Sequence, residues 1–194
     1  MRTFIALDID DAIRDRLQVF IAGVHGFAPD AHWVRPESMH VTLKFVGEKS
    51  AEAVEKIKQA LARIQASTIA ISFRGYGFFP NPKTPRVLWA GIEAGPQLAA
   101  LAKSVDETTA ALGVPKEEYA FRPHITLARR GRSGGPRRRN GDGPNQSFQR
   151  LQERLAAMPV PEFGTMTARE FFLYQSQFLR GGSRYTKMAS FGLG

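Results

Sequence analysis

The chain contains no cysteine. That absence excludes disulfides, thiolate nucleophiles, thiolate metal sites and dithiol redox chemistry, and it fits a reducing compartment. No apolar run approaches the ~20 residues that a membrane-spanning helix needs. The opening stretch, Met1-Arg2-Thr3-Phe4-Ile5-Ala6-Leu7-Asp8-Ile9-Asp10, has too short an apolar segment for a secretion signal and meets acidic residues at once. Export is therefore not expected, and a cytoplasmic setting is. Acidic residues are in deficit: 18 against 27 lysines and arginines leave a net charge of +9 and a pI near 10.2. A surplus of this size favours polyanionic partners, nucleic acid first among them, although a basic surface can also serve solubility alone. Histidine is scarce as well, four in 194 residues, so where each one stands is informative.

Two of those four occupy a repeated pattern, His40-Val41-Thr42-Leu43 and His124-Ile125-Thr126-Leu127. Each copy alternates polar and apolar residues, the period of a half-buried strand, so histidine and threonine share one face and the core takes the other. The histidines stand 84 residues apart, and so do Arg2 and Arg86, each of which opens a bulky run that reads as a strand. One offset for both pairs predicts a duplicated unit of strand, helix, motif strand, helix and strand. A single domain with two lobes over residues 1–194 follows, related by a pseudo-twofold axis. Two unrelated strands that happen to carry H-x-T are the plainer alternative.

The remaining pattern fills in the units. Strands are expected at 2–9, 40–46, 69–79, 86–93, 121–129, 169–179 and 185–191. Helices are expected at about 11–24, from a Ser50 cap to about Ile64, at 96–112, and from an Asn145 or Ser147 cap to Met158. Residues 131–145 break the pattern. This segment is rich in glycine, proline and arginine with no apolar period, and reads as an exposed basic loop.

The chemistry follows from residue type. An imidazole with a pKa of about 6.5 either takes or gives a proton near neutrality, so a matched pair supplies both halves of acid/base catalysis. Phosphodiester hydrolysis needs a proton removed from the attacking water and one given to the leaving oxygen on the opposite side of phosphorus. Thr42 and Thr126 then donate hydrogen bonds to the non-bridging oxygens. Counting by twos from His124 puts Arg130 on the same face as a phosphate clamp and directs Arg129 away, while a bulge after Leu127 would exchange the two. The same count from His40 places Lys44 at the rim. Lys44, Arg129, Arg132, Arg137, Arg138 and Arg139 are candidates for RNA contact by charge, the loop arginines being otherwise a solvated segment. Trp33, Tyr76, Phe121 and Tyr185 are candidates for base stacking, with core packing as the alternative. His25 and His32 stand alone and read as structural. Neither motif has further ligands at metal spacing, so no metal and no cofactor is expected.

The paired motifs sit in a wider context. Trp33-Val34-Arg35-Pro36-Glu37 leads to His40-Val41-Thr42-Leu43-Lys44-Phe45-Val46-Gly47. With Arg2-Thr3-Phe4-Ile5-Ala6-Leu7, Gly77-Phe78-Phe79-Pro80, Pro85-Arg86-Val87-Leu88-Trp89, Phe121-Arg122-Pro123-His124-Ile125-Thr126-Leu127-Ala128-Arg129 and the stretch from Ser176 to Tyr185, it resembles the 2H phosphoesterases. The likeness is to their RNA 2′,3′-cyclic phosphodiesterase, or LigT-like, branch, also called 2′-5′ RNA ligases. The resemblance implies an α+β fold of two lobes, antiparallel sheets lining a cleft with helices outside. It implies hydrolysis of a terminal RNA 2′,3′-cyclic phosphate to a 2′-phosphate, His40 as proton donor to the leaving 3′ oxygen and His124 as proton acceptor from water; a monomer is expected. Run backwards with a 5′-hydroxyl, the same pair would join RNA ends through a 2′-5′ bond without ATP. A non-catalytic RNA-binding module that retains the fold is the alternative.

Overall fold

Strand β1 (Arg2–Leu7) is apolar on both faces because both are covered, and helix α1 (Asp11–Val24) follows, burying Ile13, Leu17 and Val24 at helical spacing. The computed structural model describes residues 1–131 and 146–194. A two-residue strand β2 (His32–Trp33) and a 3-10 turn at Pro36–Ser38 lead into the first motif strand, β3 (Val41–Glu48). Helix α2 (Ala51–Leu61) starts where Ser50 accepts a hydrogen bond from the Ala53 N–H at 3.2 Å, the cap expected from sequence. Strands β4 (Ile69–Phe79) and β5 (Val87–Ala94), then helix α3 (Pro96–Ala110) with proline in its first turn, come next. The second motif strand, β6 (His124–Arg129), begins three residues later than expected, after Pro123, which has no N–H to give a ladder. Helix α4 (Gln146–Ala156) begins between its two expected caps; Ser147 falls inside it and Asn145 lies outside the described residues. Strands β7 (Glu162–Ala168), β8 (Glu170–Leu179) and β9 (Gly182–Gly192) complete the order.

The strands form two antiparallel sheets, β3-β1-β8-β9 and β2-β6-β5-β4-β7, in the α+β arrangement expected. Each motif strand pairs with the strand that opens its own half, β3 with β1 and β6 with β5. The closing strands exchange. β4, which follows the first half, pairs with β5 of the second, and β8, which follows the second, pairs with β1 of the first. One apolar core contains residues of both sheets and all four helices. A second, small cluster of Phe4, Ala6, Phe172 and Tyr174, with Tyr185 against it, lies on the opposite face of the first sheet, which is therefore the face that carries the first motif.

Register confirms the duplication and corrects its offset. Thr42 lies opposite Ala6 and Thr126 opposite Trp89, so the motif strands correspond at 84 residues but the opening strands at 83. The same register reveals a bulge in each motif strand at the same place. Between Ile5 and Ala6 the partner advances from Lys44 to Thr42, and between Leu88 and Trp89 it advances from Ala128 to Thr126. Leu43 and Leu127 are the extra residues, and Leu127 offers its carbonyl to the Val34 N–H at 2.9 Å.

Candidate active site

The bulges decide which residues join the histidines. Past an inserted residue the alternation inverts, so on β6 Thr126 and Arg129 share the His124 face while Leu127 and Ala128 are both fully buried on the core side. Arg130, expected on the histidine face by unbroken alternation, belongs to the opposite parity; its backbone N–H extends the ladder to the Arg86 carbonyl at 2.8 Å. The positive charge of Arg129 acts on His124, as a neighbour on the same face does.

On β3 the same inversion turns Lys44 into the core and Phe45 out, leaving Phe45 63% exposed beside Phe4 at 6.2 Å. Lys44 is 2% exposed and not at the rim. Its ammonium donates to Asp106 Oδ1 of α3 at 2.6 Å and to the Pro115 carbonyl at 2.6 Å, with Glu117 at 3.4 Å. A buried lysine stem needs such partners, and the expected contact with a ligand is thereby replaced by a tie between β3 and the segment leading to β6.

His40 stands just before β3. Its ring stacks on Phe4 at 4.7 Å, meets Tyr185 edge-on at 5.2 Å and lies 5.9 Å from Tyr174. Burial among these rings pushes its pKa down to about 4; a hydrogen bond to the Ser38 backbone and the Asp8 carboxylate work against that shift, and the Arg14 charge works with it. His124 opens β6. Its Nδ1 lies 2.7 Å from the Arg122 carbonyl, which can only accept, so the proton is on Nδ1 and Nε2 is left free. Phe79 meets the ring edge-on at 5.0 Å. Burial lowers this pKa too, the Arg122 hydrogen bond opposes it and the Arg129 charge adds to it. Both histidines thus use the backbone two residues upstream as an anchor and aromatic rings as walls. Thr42 and Thr126 are half-buried on the same faces, and β3 and β6 approach one another across the two halves.

Beside His40 lies a cavity of about 430 Å³ lined by Asp8, Asp11, Arg14, Glu37, Met39, Tyr174, Tyr185 and Lys187. Asp8 holds it together, accepting from Arg14 at 2.8 Å, Lys187 at 2.5 Å and its neighbour Ile9 N–H at 2.9 Å. Burial alone would raise the Asp8 pKa, but the hydrogen bonds from Lys187 and Arg14 outweigh it and the carboxyl stays below its usual range. Burial, reinforced by the Asp8 charge, raises the Tyr174 phenol. Asp8, Arg14, Tyr174, Lys187 and Phe45 carry no sequence signal that separates them from ordinary strand and helix residues, and sequence reasoning missed them.

The other sequence candidates divide. Tyr185 borders His40. Trp33 and Phe121 pack on the core, Trp33 donating its Nε1 to the Ala28 carbonyl at 3.0 Å, and Tyr76 packs there too. His25 Nδ1 lies 3.2 Å from the Ile21 and Ala22 carbonyls at the end of α1, a structural role. His32 pairs through its backbone strand with Arg129. Arg129 is exposed; Arg132, Arg137, Arg138 and Arg139 lie outside the described residues, as does nearly all of the expected loop.

Known proteins share this architecture. The family model described as LigT like Phosphoesterase matches residues 7–89 and 92–185. A protein of Archaeoglobus fulgidus named RNA 2′,3′-cyclic phosphodiesterase is 32% identical over 191 residues, covering 98% of this chain and 99% of its own. One of Aquifex aeolicus with the same name is 35% identical over 169 residues, 84% of this chain and 81% of its own. Among solved structures, E. coli LigT complexed with 3′-AMP superposes with a TM-score of 0.78 at 27% identity, covering 99% of this chain and 97% of that one. With two pseudo-equivalent histidine and threonine pairs on paired sheets, and these matches across nearly its whole length, the chain belongs to the LigT-like family of 2H phosphoesterases.

Proposed function

We propose that the protein hydrolyses the 2′,3′-cyclic phosphate at an RNA end to a 2′-phosphate, with His40 as acid and His124 as base and with no metal taking part. The observation that carries this reading is the equivalence of the two histidines, each a walled imidazole with a threonine two residues on along the same face. The names of its relatives supply the substrate class. Water attacks phosphorus as His124 Nε2 takes its proton; the bond from phosphorus to the 3′ oxygen breaks, and His40 delivers a proton to that oxygen. The products are a 2′-phosphate and a 3′-hydroxyl. Thr42 and Thr126 donate to the non-bridging oxygens, and Arg129 balances the charge that builds there.

In the free protein, burial and the Arg14 charge keep His40 neutral down to about pH 4 against the pull of the Asp8 carboxylate, so its role as acid depends on the substrate. An incoming phosphate anion raises the proton affinity of His40, while the Arg129 charge favours a neutral ring at His124. With a 5′-hydroxyl in place of water the reverse sequence forms a 2′-5′ bond without ATP, by microscopic reversibility. End-group analysis of a cyclic-phosphate RNA, with and without a 5′-hydroxyl acceptor, tests both directions. His40→Ala and His124→Ala each lose turnover by about 10²-fold or more, and EDTA leaves the wild type active. Full activity in His124→Ala, or loss on chelation, overturns the mechanism; binding without turnover by the wild type marks a non-catalytic module instead.

A further inference from the structure

On the first sheet, the face that carries His40 continues beyond the histidine's aromatic walls. Tyr174 and Phe178 of β8 are four residues apart and point to the same face, about 13 Å along an extended strand. Phe4 and Arg2 of β1 share that face in the same way, Arg2 lying opposite Ser176 in the ladder. Phe178 ends this row. It is 72% exposed, and the Arg2 guanidinium lies over its ring at 5.1 Å from the centroid. Across the hairpin, Ser183 lies opposite Phe178 and Tyr185 opposite Ser176, so hydroxyl-bearing residues fill the interval between the His40 walls and the exposed ring.

An open aromatic ring beneath a guanidinium offers a π face and a neighbouring cation, and a nucleobase with its phosphate is a ligand that uses both. The reaction geometry indicates the same direction. The oxygen that leaves toward His40 belongs to the ribose that carries the phosphate, so that nucleoside lies on the His40 side, and the rest of the strand hangs from the same ribose. That places the reacting ribose beside the first sheet, whose row of side chains leads on toward Phe178.

We propose that Arg2 and Phe178 form a subsite for an upstream nucleotide of single-stranded RNA, Phe178 stacking on its base and Arg2 serving both the ring and an adjacent phosphate. This rests on the RNA phosphodiesterase reading above, which supplies the polarity of the strand. The subsite makes the enzyme prefer oligonucleotides over a cyclic mononucleotide. It recognises no base in particular, because every base offers a π face.

Two measurements test it, one with turnover and one without. In the first, kcat/KM is compared for a cyclic-phosphate tetranucleotide and a cyclic mononucleotide. Phe178→Ala lowers the ratio of the two about tenfold, and Phe178→Trp, which keeps a stacking surface, restores it. In the second, equilibrium binding of a tetranucleotide ending in a 2′-phosphate is followed against salt. Phe178→Ala weakens it about tenfold, and Arg2→Gln weakens it while reducing the slope of log K against log salt by about 0.7. A ratio and an affinity that stay at the wild-type values in Phe178→Ala overturn the subsite. If the wild type turns over neither substrate, the phosphodiesterase reading fails, and the binding series still decides the subsite by whether Phe178→Ala weakens the tetranucleotide.

Discussion

Replacing Lys44 with methionine removes a charge that no solvent reaches while refilling most of its volume. The lysine side chain is 1% exposed and its partner Asp106 21%. Breaking a buried ion pair from one side costs about 3–5 kcal/mol when the partner is stranded in the interior. Here water reaches part of Asp106, which also keeps the Glu117 N–H at 3.2 Å, so its share of that cost is smaller. The Pro115 carbonyl loses its donor at 2.6 Å, about 1–3 kcal/mol on its own. A net loss of about 2–3 kcal/mol is expected, a fall in Tm of about 5–10 °C for a chain of this length. Thermal and urea unfolding at pH 7 measure it. Asp106→Leu combined with Lys44→Met is expected to be no less stable than Lys44→Met alone, because the stranded carboxylate is then gone. Burial opposes the Asp106 carboxylate, but the Lys44 and Glu117 hydrogen bonds and the charges of Lys44 and Lys116 outweigh it and hold its pKa low. A carboxyl with a lowered folded pKa stabilises above its unfolded value of about 3.9 and loses that contribution as pH falls through the folded one, so the gap between wild type and variant narrows below about pH 4. Equal stability of Lys44→Met and wild type, together with weaker RNA binding and a shallower salt dependence, would refute the burial argument and return Lys44 to the rim.

Four further outcomes are expected. Arg129→Ala lowers kcat/KM by about 10- to 100-fold, the worth of a charge-assisted hydrogen bond, while Arg130→Ala stays within about threefold; the reverse order would mean that β6 is not bulged in the working enzyme. His40, neutral down to about pH 4 in the folded chain and titrating near 6.5 when unfolded, binds fewer protons folded than unfolded between those values. Stability therefore rises with pH across that window, by about 3 kcal/mol from this residue. NMR titration of the imidazole checks it, and a folded pKa at or above 6.5 contradicts it. Because kcat/KM reports ionisations of the free protein, loss of the His40 proton makes it fall above about pH 4, and Asp8→Asn lowers it further at pH 7. Replacing Arg137, Arg138 and Arg139 together weakens RNA binding and reduces the salt slope by about 2 with little effect on a cyclic mononucleotide; equal loss on both substrates would place them at the chemistry.

Much of this was legible in the chain. Apolar spacing located the helices, Ser50 announced its cap, and the repeated motif revealed two halves and four of the residues at the site. The failures share a cause: period-two reasoning cannot detect an inserted residue. Leu43 and Leu127 are ordinary apolar strand residues, and only their partners' register shows that each doubles up against one neighbour. The residues that follow are inverted, which exchanges Lys44 with Phe45 and Arg130 with Arg129, until a second shift at Val46 on β3. Strand β7 was missed for a different reason. Its buried positions, Phe163 and Ala168, are sparse, and Gly164 takes a positive φ of 107° inside it, so neither composition nor alternation marks a strand whose place is set by pairing with β4. The Asp8 cluster was invisible because it draws on β1, α1 and β9 at once.

The exchange of closing strands means that neither half is a folding unit. A lone first half would have β4 with no β5 to pair with, and a lone second half would have β8 with no β1; two copies of one half could satisfy each other only by trading those strands. The present chain has the architecture of a swapped dimer joined into one polypeptide. Its first histidine accordingly has no finished surroundings until Tyr174 and Tyr185, more than 130 residues downstream, are in place. An emerging chain would hold the complete first motif long before the last hairpin supplies the rings that wall its histidine.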